Sequence, residues 1–136
     1  MRRPGLLGVL ETVLYHESAE REPVERFYGD VLGLPAVARW EDGIAFRIGG
    51  GVLLLFDREQ LALRTGPIAD HGTRGAGHAC LRVDGAGDLE HWRELLEAAG
   101  VEIVHDHDWD GRRSFYFKDP AANLLEIADG DLWPPS

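Results

Sequence analysis

Three residues of this chain carry ligand chemistry at duplicated positions: Glu11, His78 and Glu126. Glu126 sits within Leu124-Leu125-Glu126-Ile127, among neighbours that favour burial, so an ionised carboxylate there needs a partner to offset its desolvation. A metal ion is such a partner. Two carboxylates and one imidazole form a hard, dianionic set suited to one divalent ion among Fe, Mn, Ni, Co and Zn, with positions left open for water or a bidentate oxygen ligand. As a Lewis acid the ion stabilises an enolate or alkoxide of a substrate bearing two adjacent oxygens. The competing reading makes Glu11 and Glu126 solvated strand-end carboxylates and His78 a hydrogen-bonded core histidine.

The elements that position these residues occur twice. Val9 to His16 alternates as a strand, and Ser18 or Glu20 opens a helix with Pro23 in its first turn. Val24, Phe27, Tyr28, Val31 and Leu32 form its apolar stripe before Gly33 stops it. Strands follow near 35–40, 44–48 and 52–56, joined by Glu41-Asp42-Gly43 and Gly49-Gly50-Gly51. After a long connection the pattern returns: a strand at 78–83, a helix capped by Asp88, and strands at 101–105, 113–117 and 124–128. This predicts an α+β fold of two tandem βαβββ modules forming a cupped mixed sheet. Residues 1–136 are expected to form one domain, with module 1 at about 8–57, the connection at 58–76 and module 2 at about 77–129. Aligning the modules sets Glu11 opposite His78 and Leu54 opposite Glu126. Three of four equivalent positions are therefore ligand types.

Strand parity adds substrate-binding candidates. Tyr15 and Arg82 share faces with Glu11 and His78, as a hydrogen-bond donor and an anion anchor, while Leu54 closes the fourth side of the cavity. Ser114 and Tyr116 share one face, and Phe115 and Phe117 take the opposite, helix-covered one. His105-Asp106-His107-Asp108-Trp109-Asp110 has spacing for a cation, but an acidic cluster beside a glycine turn reads first as a solvated loop. His71, in the connection, is read first as a surface histidine and secondarily as an acid or base over the cavity. Ser18, Ser114 and Ser136 lack an elbow motif, Cys80 reads as a small mid-strand hydrophobe, and the glycine triplet opens no helix for phosphate.

Composition narrows the partners. Fourteen basic against twenty-four acidic residues give a net charge of −10, which disfavours nucleic acid and anionic membranes. No apolar run reaches the roughly 20 residues a bilayer requires, and the single cysteine fits a reducing compartment, so the expectation is a cytoplasmic protein. Exposed sheet edges and the long connection point to a homodimer acting on a small molecule.

Phe115-Tyr116-Phe117-Lys118-Asp119-Pro120-Ala121-Ala122-Asn123-Leu124-Leu125-Glu126, with Arg26-Phe27-Tyr28-Gly29-Asp30-Val31-Leu32-Gly33-Leu34 and Gly75-Ala76-Gly77-His78, resembles the vicinal oxygen chelate superfamily. That superfamily includes glyoxalase I, bleomycin- and fosfomycin-resistance proteins, methylmalonyl-CoA epimerase and extradiol dioxygenases. The resemblance spans about Leu10 to Ala128 and implies paired modules, often completed in a dimer, with a divalent metal at Glu11, Leu54, His78 and Glu126. Two departures stand out. Ala122 replaces the usual turn glycine, suggesting a slightly different turn, and Leu54 replaces the carboxylate that in glyoxalase I ligates metal and moves protons. The three remaining ligands are similar to the extradiol dioxygenase set, with Glu11 in place of a histidine. The expectation is a metal-dependent enzyme of lyase, isomerase or dioxygenase type, distinct from standard glyoxalase I, with Glu126 assisting proton transfer. The alternative is a metal-free, bleomycin-resistance-like binding protein that sequesters an aromatic or cationic ligand.

Overall fold

The computed structural model describes residues 3–73 and 76–134; Gly75 and Ser136 lie outside them. Each half builds a four-stranded sheet. The first contains β1 (Glu11–His16), β2 (Ala36–Trp40), β3 (Gly43–Ile48) and β4 (Gly51–Asp57), in the order β1-β4-β3-β2. The second contains β5 (His78–Arg82), β6 (Ile103–Trp109), β7 (Arg112–Lys118) and β8 (Leu124–Ala128), in the order β5-β8-β7-β6. In both, the first strand runs parallel to the last and the other pairings are antiparallel. Glu11 stands opposite Val52 as His78 stands opposite Leu124, so Leu54 and Glu126 occupy equivalent places. The duplicated, mixed-sheet α+β architecture is the one the repeat predicts.

One core joins the halves. Leu14, Ile44, Phe46, Leu53 and Leu55 of the first sheet cluster with Phe115, Phe117, Leu125 and Ile127 of the second. Between them come Val24, Phe27 and Tyr28 from the first helical segment and Leu89 and Leu96 from α3 (Ala86–Ala98). Each such side chain stabilises the fold by about 1.5–3 kcal/mol on burial.

Local chemistry shifts several boundaries. The first helical segment is three pieces: a 3₁₀ turn at Ser18–Glu20 closed by a Glu17–Glu20 capping box, α1 (Arg21–Arg26), and a π turn at Phe27–Val31. The wide turn buries both Phe27 and Tyr28. Asp88 is not the cap of α3; Gly85, at φ 102, precedes the helix, and Asp88 sits in its first turn, where a carboxylate complements the helix dipole. The connection contains α2 (Arg58–Ala62), whose cap is Asp57, accepting from the N–H groups of Glu59 and Gln60. β6 runs on to Trp109, so the stretch read as a solvated loop is strand up to its turn.

The Asp119-to-Asn123 turn fastens one half to the other. Asp119 Oδ1 accepts from the N–H groups of Ala121 and Asn123, at 2.8 and 2.9 Å. Its Oδ2 accepts from the Tyr28 hydroxyl at 2.7 Å and from Asn123 Nδ2 at 2.9 Å. The Asn123 amide also accepts from Gly77 N–H and donates to the Tyr15 carbonyl. Ala122 adopts φ 65, in the left-handed region that a glycine occupies without strain and an alanine does not.

Candidate metal centre

Alternation in the strands divides each sheet between the shared core and an opposite face. On the first sheet that opposite face is apolar: Ala45, Leu54 and Phe56 cluster with Leu61 of α2, flanked by Val13 and Tyr15. Leu54 is buried there and has no means of holding a metal. His71 folds over this face. Its Nδ1 lies 2.5 Å from the Tyr15 hydroxyl and its ring meets Phe56 edge-on at 5.3 Å. The tyrosine is pushed up by burial and by the nearby Asp70 carboxylate, so it is a phenol that donates to that nitrogen at neutral pH.

The second sheet carries polar chemistry on the corresponding face. Glu126 is 5% exposed, and its Oε1 lies 3.3 Å from His78 Nε2. Its Oε2 is buried without any hydrogen-bond partner. His78 Nδ1 lies 2.8 Å from the Leu124 carbonyl, which only accepts, so Nδ1 holds the proton. In the neutral ring Nε2 then turns a lone pair toward a carboxylate. A cation or an added proton relieves that repulsion. A backbone carbonyl holding Nδ1–H is also how proteins orient a metal-bound imidazole. A separation of 3.3 Å suits two donors on one ion with bonds of about 2.0–2.2 Å. His78 and Glu126 thus supply two donors that fit a divalent metal.

Neighbouring groups are held protonated. Tyr116 is pushed up by burial and then by Glu126, and its ring meets His78 edge-on at 6.1 Å. Cys80, opposite Glu126, is pushed up to about 12 by burial and the same carboxylate. Exposed as it is, Cys80 is thereby kept as a thiol at neutral pH. Arg82, at the end of β5, lines a cleft of about 280 Å³ with Val9, Leu10, Thr12 and Cys80, between the edges of β1 and β5.

Of the three expected ligands, His78 and Glu126 come together. Glu11 is exposed at the start of β1, and among the described residues no three His, Cys, Asp or Glu side chains converge. Ahead of it runs an irregular segment whose Leu6, Leu7, Val9 and Leu10 are all at least 70% exposed. Sequence reasoning missed the Tyr28–Asp119–Asn123 network and placed no weight on Ser114, which is buried and accepts from Trp109 Nε1 at 2.9 Å. The face assigned to Ser114 by alternation was the available signal.

A family profile described as the glyoxalase/bleomycin resistance protein/dioxygenase superfamily matches residues 22–127. The chain belongs to that superfamily. Among solved structures, this superfamily member is similar to a lactoylglutathione lyase from Agrobacterium tumefaciens at 33% identity and a TM-score of 0.88, covering 97% of this chain and 100% of the other. An integron cassette protein from the mobile metagenome of V. cholerae is 25% identical with a TM-score of 0.71, over 93% and 98% of the two chains. A virulence protein from Salmonella typhimurium, 24% identical with a TM-score of 0.70 over 92% and 98%, shares the fold. A search of curated proteins gave no match. Among the described residues no helix is long and apolar enough to cross a membrane.

Proposed function

We propose that this superfamily member is a divalent-metal-dependent enzyme of lyase, isomerase or dioxygenase type acting on a small oxygenated molecule. The observation that carries this reading is Glu126 Oε2, a buried carboxylate oxygen without a partner, beside His78 Nε2. His78 and Glu126 hold the ion, and Glu11 of a second copy completes the set, which makes the working unit a homodimer. Bound there, the ion supplies Lewis-acid stabilisation to a substrate with adjacent oxygens.

The protein's own groups do the rest. The Leu124 carbonyl fixes the His78 ring, and burial keeps water from the inner oxygen of Glu126. Tyr116, held as a phenol, offers a hydrogen bond to a substrate oxygen, and Glu126 is the base that assists proton transfer. Leu54 offers no second carboxylate, so a glyoxalase I reaction that relies on one is disfavoured, despite the likeness to a lactoylglutathione lyase.

The test mixes subunits. Glu11→Gln and Glu126→Gln proteins, each impaired in metal uptake, are refolded together and assayed for metal and for turnover of diols, hydroxy ketones and catechols. A composite site regains metal and activity in mixed dimers, because one of the two sites is then intact. No recovery overturns the shared site. Wild-type protein that takes up no metal at Glu126 turns the search toward ligands sequestered without metal.

A further inference from the structure

β6 pairs with β7 as Ile103 opposite Phe117, both turned to the core side, and the strand then shifts register by one residue at Val104. Without that bulge His105 would pair with Phe115 and alternate onto the core face. With it, His105 stands opposite Tyr116, His107 opposite Ser114 and Trp109 opposite Arg112. A bulge spends strand pairing to re-aim side chains. Here it carries two imidazoles onto the exposed face and sends Asp106 to the other side, where its carboxylate pairs with Arg93.

The two imidazoles face each other. His105 Nε2 lies 3.2 Å from His107 Nδ1, with ring centroids 5.4 Å apart. Tyr116 stacks against His105 with ring centroids 5.9 Å apart, and Trp109 packs against His107 at 4.3 Å, itself fixed through its indole N–H to Ser114. Rings braced from both ends lose little freedom on gaining a ligand. In the metal-free protein an N–H···N hydrogen bond spans these 3.2 Å, and the same spacing is the bite of two nitrogens on one ion at bonds of about 2.0–2.1 Å once that shared proton is displaced. The chain's net charge of −10 favours a cation over an anion at its surface. These histidines are exposed, so packing does not dictate their identity.

We propose that His105 and His107 form a second, surface metal site, a two-imidazole chelate for a borderline divalent transition ion of the Cu²⁺, Ni²⁺ or Zn²⁺ kind, with water filling the remaining positions. It is separate from the His78–Glu126 pair, whose donors are one nitrogen and carboxylate oxygen. Nitrogen-rich sites select such ions over Mg²⁺ and Ca²⁺.

The test titrates Cu²⁺ into untagged, metal-free protein in three forms, wild type, His107→Ala and His78→Ala, with electron paramagnetic resonance to count bound nitrogens. His107→Ala loses one equivalent relative to wild type, and the ion retained by His78→Ala shows two equatorial nitrogens. Circular dichroism is unchanged, because His107 is exposed. If His107→Ala binds as much Cu²⁺ as wild type, or the ion in His78→Ala shows fewer than two nitrogens, the site is refuted. If instead His78→Ala equals wild type while His107→Ala still loses an equivalent, the surface chelate stands and the His78–Glu126 centre fails.

Discussion

At equivalent places on the last strand of each half stand Leu54 and Glu126, one within an apolar cluster and the other with a buried, unpartnered oxygen. The strands around them agree in order, direction and register, and each second strand even carries an irregularity near its start, between Ala36 and Ala38 and between Ile103 and His105. The core-facing residues of both halves join one cluster. What differs is the opposite face: Val13, Ala45 and Phe56 on the first sheet, His78, Tyr116 and His105 on the second. The frame of a duplicated fold constrains the core side. The other side is free to diverge into apolar packing in one half and donor chemistry in the other.

Asp119→Ala tests most severely whether the halves act as one body. It strips acceptors from the Tyr28 hydroxyl, the Asn123 amide and two backbone N–H groups, and is expected to cost about 4 kcal/mol. Urea unfolding measures this; Tyr28→Phe, losing one bond, costs about 1–2 kcal/mol by the same assay. Exchanging the two equivalent residues comes next. Leu54→Glu places a carboxylate among Ala45, Phe56 and Leu61 and is expected to cost about 3 kcal/mol. Glu126→Leu is expected to stabilise the metal-free protein by about 1–2 kcal/mol while removing metal uptake. A Glu126→Leu protein less stable than wild type would show that the carboxylate contributes to folding without metal.

The halves also differ in pH response. His16 is buried, while the equivalent position five residues beyond His78 is Val83. Burial holds His16 below its usual value, only partly opposed by Asp57. Below about 6.5 the unfolded chain therefore takes a proton that the folded chain resists. Its contribution to stability is complete above that pH, declines as pH falls toward the folded value, and is constant beneath it. His16→Gln flattens that part of the melting-temperature profile. The smallest effect is at the strained turn: Ala122→Gly, relieving φ 65, is expected to stabilise by about 0.5–1 kcal/mol in the same melts.

Much of the frame was legible because period-2 and helical patterns repeat at matching intervals, and Glu126 was legible because a lone acid interrupts an apolar strand. The bulge at Val104 was not, since nothing in Ile103-Val104-His105 marks where pairing slips. That slip is what turns His105 and His107 outward with Tyr116. The inter-half role of Asp119 was hidden for another reason: its partner Tyr28 is 91 residues away and looked like one more member of an apolar stripe. α2 was missed because five residues are too few for a periodic signal, although Asp57 carried the capping chemistry.

The proposed metal role of Glu126 explains why a carboxylate oxygen is buried there without a partner. Elemental analysis of untagged protein, prepared without chelator and loaded with Mn²⁺, Fe²⁺, Ni²⁺ or Zn²⁺, tests it beside Glu126→Gln. The variant is expected to hold one equivalent less than wild type with its melting temperature maintained in the metal-free state. Equal metal content in the two proteins would contradict the account.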